Sequence, residues 1–246
     1  NIPLLGRFLK KVMRKKLGLS RVKYALSGAS PLHPSLPIWF SKLGIVIQEA
    51  YGMTENMALA TINRKPTARF GTVGQSYKGV ELFLGADNEV LVKSPANMLG
   101  YYKEPEMSAA CFENGFLKTG DEGRLDQDGY LTITGRIKDL FKTSKGKYVA
   151  PAPIEKKLLE HSIISQVCVV GSGESHALAL CMLSPEAGGD RDQLQVILSS
   201  IRQEINQGLE YHEQIAKLII VRDEWTIANG FFTPTLKIRR GAVDAH

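Results

Sequence analysis

Apolar residues recur at three- and four-residue steps at the start of the chain: Leu5, Phe8, Leu9, Val12, Met13 and Leu17. That spacing predicts an amphipathic helix with its lysines mostly on the opposite side, although Lys16 falls near the apolar face. Gly18 is expected to stop it. RVKYALSG then reads as a buried strand running from Val22 into a small-residue turn at Ser27 to Ser30. Pro31 and Pro34 flank a helix expected over residues 35–43, and GIVIQEA reads as a second strand ending at Ala50. Strand, helix, strand in that order predicts the parallel sheet of an α/β domain.

The texture changes near residue 70. Short runs such as GVELFLG, EVLVKS and YLTITG alternate with Gly, Asn, Asp and Pro turns, which predicts a small β-rich subdomain over residues 70–134. GRIKDLFKTSKGKYVA, at residues 135–150, is polar, basic and Gly-containing, and reads as a connector rather than a core element. Beyond it IEKKLLEH reads as a helix, QVCVVG, ALALCML and KLIIVR as strands, and residues 190–209 as a long helix. The expected fold class is therefore α/β plus α+β, with a first domain over residues 1–136 and a small second domain over residues 137–246.

Composition adds only a few constraints. At 246 residues, 43% apolar and 23% charged, the chain has the make-up of a soluble globular protein with room for one large or two modest domains. No stretch approaches the roughly 20 apolar residues that span a bilayer. Residue 1 is Asn rather than Met, so the lack of a leader pattern says little. Cys111, Cys168 and Cys181 are odd in number and widely spaced, which argues against a disulfide framework or zinc site and for a reducing, cytoplasmic compartment. The net charge of +6 gathers in Lys10, Lys11, Arg14, Lys15 and Lys16 and in Lys237, Arg239 and Arg240. The first group reads as a solvated helix face. Nucleic acid is not an expected partner, whereas peripheral membrane contact is compatible with that helix.

Several short patterns carry chemistry. SGASPL (27–32) and YGMTE (51–55) follow the first two strands, where ligands gather in open α/β sheets. Small residues in the first would let a flat ring approach the backbone, and Tyr51 offers a face on which to stack it. Thr54 can donate to a phosphate oxygen, and Glu55 is a hard oxygen ligand suited to Mg²⁺. Each motif alone is equally a plain turn before a helix. TGD at 119–121 reads as a turn whose Asp121 can accept from ribose hydroxyls. Arg136 can reach a sugar or phosphate, with Lys138 and Asp139 left facing solvent. Lys237, in a basic tail, reads by itself as a solvated charge.

Taken in order, SGASPL, YGMTE, GYYKEPE, GFLKTGDEGRLDQDGYLTITGRIKDLFK, GKYVAPAPIE and TPTLKIRR resemble the adenylate-forming superfamily of acyl-CoA synthetases, luciferases and peptide-synthetase adenylation domains. The resemblance covers nearly the whole chain. It implies the end of a large AMP-binding domain followed by a small mobile C-terminal domain. It also implies activation of a carboxylic acid with ATP and Mg²⁺, then acyl transfer to CoA. On this sequence, Gly28, Ala29 and Ser30 resemble the backbone wall of the adenine pocket, Glu49 sits where the family places a residue near the adenine amino group, and Ala50 falls among the implied nucleotide-binding residues. Tyr51 resembles the stacking aromatic, and Gly52 and Met53 continue that motif. Thr54 would contact the α-phosphate, Glu55 the magnesium, Asp121 the ribose and Arg136 the nucleotide. Lys237 matches the lysine that bridges carboxylate and α-phosphate. Lys138 occupies the hinge, and Lys142 with the Ser144–Gly146 turn would face nucleotide or CoA after the domain swings.

Leu236 before the lysine and the loop KTSKGKYVAPAPIE resemble the long-chain fatty acid branch. The family's Ser/Thr/Gly-rich phosphate loop, which lies upstream of SGASPL, is absent. The expectation is a fragment with little ligase activity and weak nucleotide binding on its own. A carrier-protein acceptor in place of CoA, or a non-catalytic binding module of the same fold, are the alternatives. Acyl chain length and oligomeric state are not legible.

Overall fold

The computed structural model describes residues 3–30, 32, 35–185, 187–234 and 237–244. The expectations on Pro31, Pro34 and Leu236, and on the side chain of Leu5, lie outside the described residues. The chain divides into two compact units, Asn1–Ile133 and Thr134–His246.

The first unit opens with helix α1 (Pro3–Lys16). Gly18 adopts a left-handed conformation, its N–H bonding to Lys15 and that of Leu19 to Arg14, which satisfies the last carbonyls and ends the helix. The apolar stripe is present, but Phe8, Leu9, Met13 and Leu17 are exposed. Strand β1 (Ala25–Ser27), helix α2 (Ser35–Lys42) and strand β2 (Ile47–Tyr51) follow. β1 and β2 are parallel, Ser27 lying opposite Glu49. The buried strand expected from Val22 is a correction: it is shorter and more exposed. The Val22 N–H closes a turn on Leu19, and Tyr24 and Leu26 face solvent. β3 (Thr61–Ile62) pairs antiparallel with β2, and β4 (Gln75–Ser76) antiparallel with β3, extending this sheet.

The β-rich part forms a second sheet from β5 (Glu81–Leu84), β6 (Glu89–Lys93), β7 (Phe112–Glu113), β8 (Phe116–Leu125) and β9 (Leu131–Arg136), with helix α3 (Pro105–Ala110) before β7. Its order is β5-β6-β8-β7, and β9 pairs with β8. Ala60, Val90, Val92 and Leu131 form its core, against which Tyr51, Val73 and Leu125 pack.

The second unit contains β10 (Phe141–Lys142), β11 (Tyr148–Val149), α4 (Pro151–Leu158), β12 (Ile164–Val170), β13 (Ala177–Leu183), α5 (Arg191–Gln207), β14 (Ile215–Ile220) and α6 (Arg240–Asp244). The expectation of a simple connector over 135–150 is corrected here. β10 and β11 pair as a hairpin, and Phe141 and Val149 join the hydrophobic core, because the two strands turn their few apolar side chains inward. In the sheet β12-β13-β14, alternate residues serve opposite faces. Val167, Val169, Ala177, Ala179 and Cys181 meet α4 and α5, whereas Cys168, Val170, Leu178, Leu180 and Met182 meet Trp225 and Val243. Covering both faces explains the nearly continuous apolar runs of QVCVVG and ALALCML. Asp190 caps α5 by accepting the Gln193 N–H at 2.9 Å.

Candidate active site

Most of the nucleotide-site candidates lie in the first unit, at the ends of β1 and β2. A side chain on Gly28 would sit 3.0 Å from the Ala50 carbonyl oxygen, so the loop after β1 can lie flat against β2 only because residue 28 lacks one. Ala29 takes a left-handed backbone, turning the loop away toward the exposed Ser30. Glu49 is half-buried in β2, its carbonyl accepting the Asn63 N–H at 2.7 Å. Gly52 lies hard against the Ala58 backbone, where a Cβ would overlap it.

Tyr51 anchors the arrangement. Its ring packs on the β-rich core, and its hydroxyl donates to Asp121 Oδ2 at 2.7 Å, joining residues 70 positions apart. Asp121 does not stand in a turn, as TGD suggested, but inside β8, where it is buried. The ladder between β6 and β8 is interrupted here: Leu91 pairs with Lys118 and Glu89 with Glu122, leaving Thr119–Asp121 bulged. Gly120 has a positive φ of 69°. Its N–H is taken by Glu89 Oε1 at 2.9 Å, and the Thr119 hydroxyl holds both the Val90 carbonyl and the Asp121 N–H. Such a bulge re-aims a side chain that a regular strand would direct elsewhere.

Thr54 and Glu55 follow in a single 3₁₀ turn, Thr54–Asn56, with Thr54 exposed. Asn56 is fully buried and its Oδ1 accepts the Met53 N–H at 2.9 Å, fixing the turn. The Glu55 carbonyl receives the Met98 N–H at 2.7 Å, and its carboxylate oxygen Oε1 receives the Tyr101 hydroxyl at 2.8 Å. That hydrogen bond, aided by burial, pushes the Tyr101 phenol up to about 12, so it stays a donor at neutral pH. Tyr101 was missed as a site residue although GYYKEPE contains it; nothing in the spacing says which tyrosine turns inward. No group of three or more His, Cys, Asp or Glu side chains forms a metal site among the described residues. Glu55 is a single hard carboxylate, a donor that fits Mg²⁺ shared with substrate phosphates better than a cage built wholly of protein.

Arg136, Lys138, Lys142 and Lys237 lie in the second unit. Arg136 and Lys138 are exposed beside the 3₁₀ turn Ile137–Asp139, where Asp139 is half-buried rather than solvent-facing as expected. Its carboxylate lies close enough to the Arg240 guanidinium to favour that arginine's charged form. The Lys142 ammonium lies 5.7 Å from the Tyr148 ring centre, and the following turn is closed by the Gly146 N–H on Thr143. Lys237 is exposed in the base of a hairpin, its N–H bonded to the Thr233 hydroxyl at 3.0 Å and its carbonyl to the Thr233 N–H at 2.8 Å.

The model of the AMP-binding enzyme family matches residues 2–102, and that of the AMP-binding enzyme C-terminal domain matches residues 138–243. A long-chain-fatty-acid–CoA ligase of Mycobacterium bovis is 33% identical over 98% of this chain and 43% of its own length. A long-chain-fatty-acid–[acyl-carrier-protein] ligase of Arabidopsis thaliana is 27% identical over 98% of this chain and 37% of its own. The solved adenylation–carrier didomain of a carboxylic acid reductase from Segniliparus rugosus, in complex with AMP, superposes with a TM-score of 0.76 at 28% identity, over 98% of this chain and 35% of that one. The chain thus spans less than half the length of each of these relatives. Its two matched segments place it in the family of AMP-binding, adenylate-forming enzymes.

Proposed function

We propose that this chain is the C-terminal part of an enzyme that activates a fatty acid with ATP and passes the acyl group to CoA. The observation that carries the reading is the 2.7 Å bond between Tyr51 and Asp121, which joins the expected adenine-stacking and ribose-binding residues in one place. In the first step a carboxylate oxygen attacks the α-phosphorus, forming the acyl-adenylate as pyrophosphate leaves. In the second the CoA thiolate attacks the acyl carbon, and AMP departs with that oxygen. Gly28 and Ala50 offer the ring a flat wall, Asp121 accepts from the ribose, and Thr54 donates to phosphate. Bound Mg²⁺ would neutralise phosphate charge, with Glu55, oriented by Tyr101, as its protein ligand. Lys237 answers the negative charge that builds on the α-phosphoryl group. Lys138 is assigned the hinge, and Arg136 and Lys142 the nucleotide and CoA contacts in turn. The mycobacterial relative supports a long-chain acid; the plant ligase and the carrier didomain support a carrier thiol as the second reading of the acceptor.

The test is fatty-acid-dependent pyrophosphate release by the longer protein that contains these residues, with and without CoA. Acyl-CoA appearing only when CoA is present is the expected result. Pyrophosphate release without acyl-CoA moves the acceptor to a carrier protein, and no release across short, medium and long acids rejects acid activation.

A further inference from the structure

Lys237 has no side-chain partner among the described residues and is held only through its backbone. Three residues later the chain is fastened firmly. Arg240 forms a bidentate pair with Glu155 of α4, Nη1 to Oε1 at 2.7 Å and Nη2 to Oε2 at 3.0 Å. Nη1 also donates to the Val169 carbonyl at 2.6 Å, while Glu155 Oε1 accepts the Val169 N–H at 2.7 Å. β12 is an edge strand, so both outward backbone groups of Val169 are satisfied by this one ion pair. The other side of the hairpin is tied too: Phe232 bridges to Ile238, the Arg239 N–H bonds to Phe231, and these aromatics pack on Trp225 and Val243.

A buried ion pair adds little net stability over well-packed apolar residues, but it fixes geometry tightly. Here that geometry is the root of the segment carrying Lys237. We propose that Arg240 and Glu155 are positioning residues for Lys237, locking its hairpin to the edge of β12 so that the ammonium is presented in register for acid activation. The proposal rests on the role given to Lys237 above. Displacing a catalytic group by about 1 Å can cost about 10²-fold in rate, so loosening this lock should slow acid activation and leave acyl transfer to the thiol unaffected.

The test separates the two half-reactions in the longer protein: acid-dependent ATP–pyrophosphate exchange, and thioester formation from supplied acyl-adenylate and CoA. Arg240→Lys, which keeps the charge but not the fork, is expected to lower the exchange kcat about 10-fold or more, with KM for ATP and thioester formation within about twofold of wild type. In a Lys237→Ala background the same substitution should lower exchange by less than about twofold, because its effect passes through the lysine. Equal losses in both half-reactions, or a loss that multiplies in full in the Lys237→Ala background, would overturn the proposal. Glu155→Gln keeps an acceptor for the Val169 N–H and provides the same comparison should Arg240→Lys fail to fold; unchanged exchange in folded Glu155→Gln also overturns it. Unchanged exchange in Lys237→Ala alone rejects the role of the lysine itself, whereas loss there with none in Arg240→Lys rejects only the positioning.

Discussion

Asp121 and Lys237 are both single charged residues assigned to one reaction, yet the two units hold them in opposite ways. Asp121 is buried in a strand, re-aimed by a bulge and bound by the Tyr51 hydroxyl. Lys237 is exposed, its side chain without a partner among the described residues, with the rigidity placed in the backbone around it. A residue that binds the same ligand group throughout a cycle can be locked by its side chain. A residue needed for one step must keep a free ammonium and be located by its root.

Four substitutions probe this contrast. Lys237→Ala should lower acyl-adenylate formation about 10²- to 10³-fold, as expected for a lost electrostatic stabiliser, measured by ATP–pyrophosphate exchange. Glu155→Ala should cost about 3 kcal/mol by stranding Arg240, read as a lower urea midpoint at unchanged slope in this chain. Both partners are largely buried, at 20% and 15% side-chain exposure, so solvent screening reduces this little. Tyr51→Phe removes a donor to a buried carboxylate worth about 1.5 kcal/mol, and should raise the KM for ATP roughly tenfold with a smaller change in kcat. Gly120→Ala meets no neighbouring atom, so its cost of about 1 kcal/mol should come from the left-handed backbone alone, and is checked by the same urea titration.

A separate effect should appear at high pH. Burial pushes the Cys168 and Cys181 thiols up from 9.0 to about 12. Folding therefore favours their protonated forms. That contribution is complete below pH 9.0 and is lost as pH rises toward about 12, so the second unit should lose stability across that window. At pH 8 a thiol reagent should label half-buried Cys111 first, and the other two only after unfolding.

Much of the fold was legible because long periodic runs carry their own evidence. α1, α5 and the runs of β12 and β13 follow directly from the pattern of apolar positions. RVKYALSG failed because apolar residues alone do not say that Val22 closes a turn. GRIKDLFKTSKGKYVA failed for the opposite reason: two buried apolar side chains, Phe141 and Val149, are hidden among basic ones that solvate the rest of the hairpin. In the site, Tyr51 and Asp121 were named, but their contact spans 70 residues and no local rule supplies it. Tyr101 and the pair of Glu155 and Arg240 were likewise unreadable as partners. Each needed the tertiary fold to bring a donor to its acceptor.

Whether the acid is activated as an acyl-adenylate is decided by following its carboxylate oxygens. With fatty acid labelled with heavy oxygen, the longer protein, ATP and CoA, one labelled oxygen should appear in AMP for each acyl-CoA formed, because the attacking oxygen leaves with the nucleotide. Acyl-CoA formed with unlabelled AMP, or with label in pyrophosphate or inorganic phosphate, would contradict that activation.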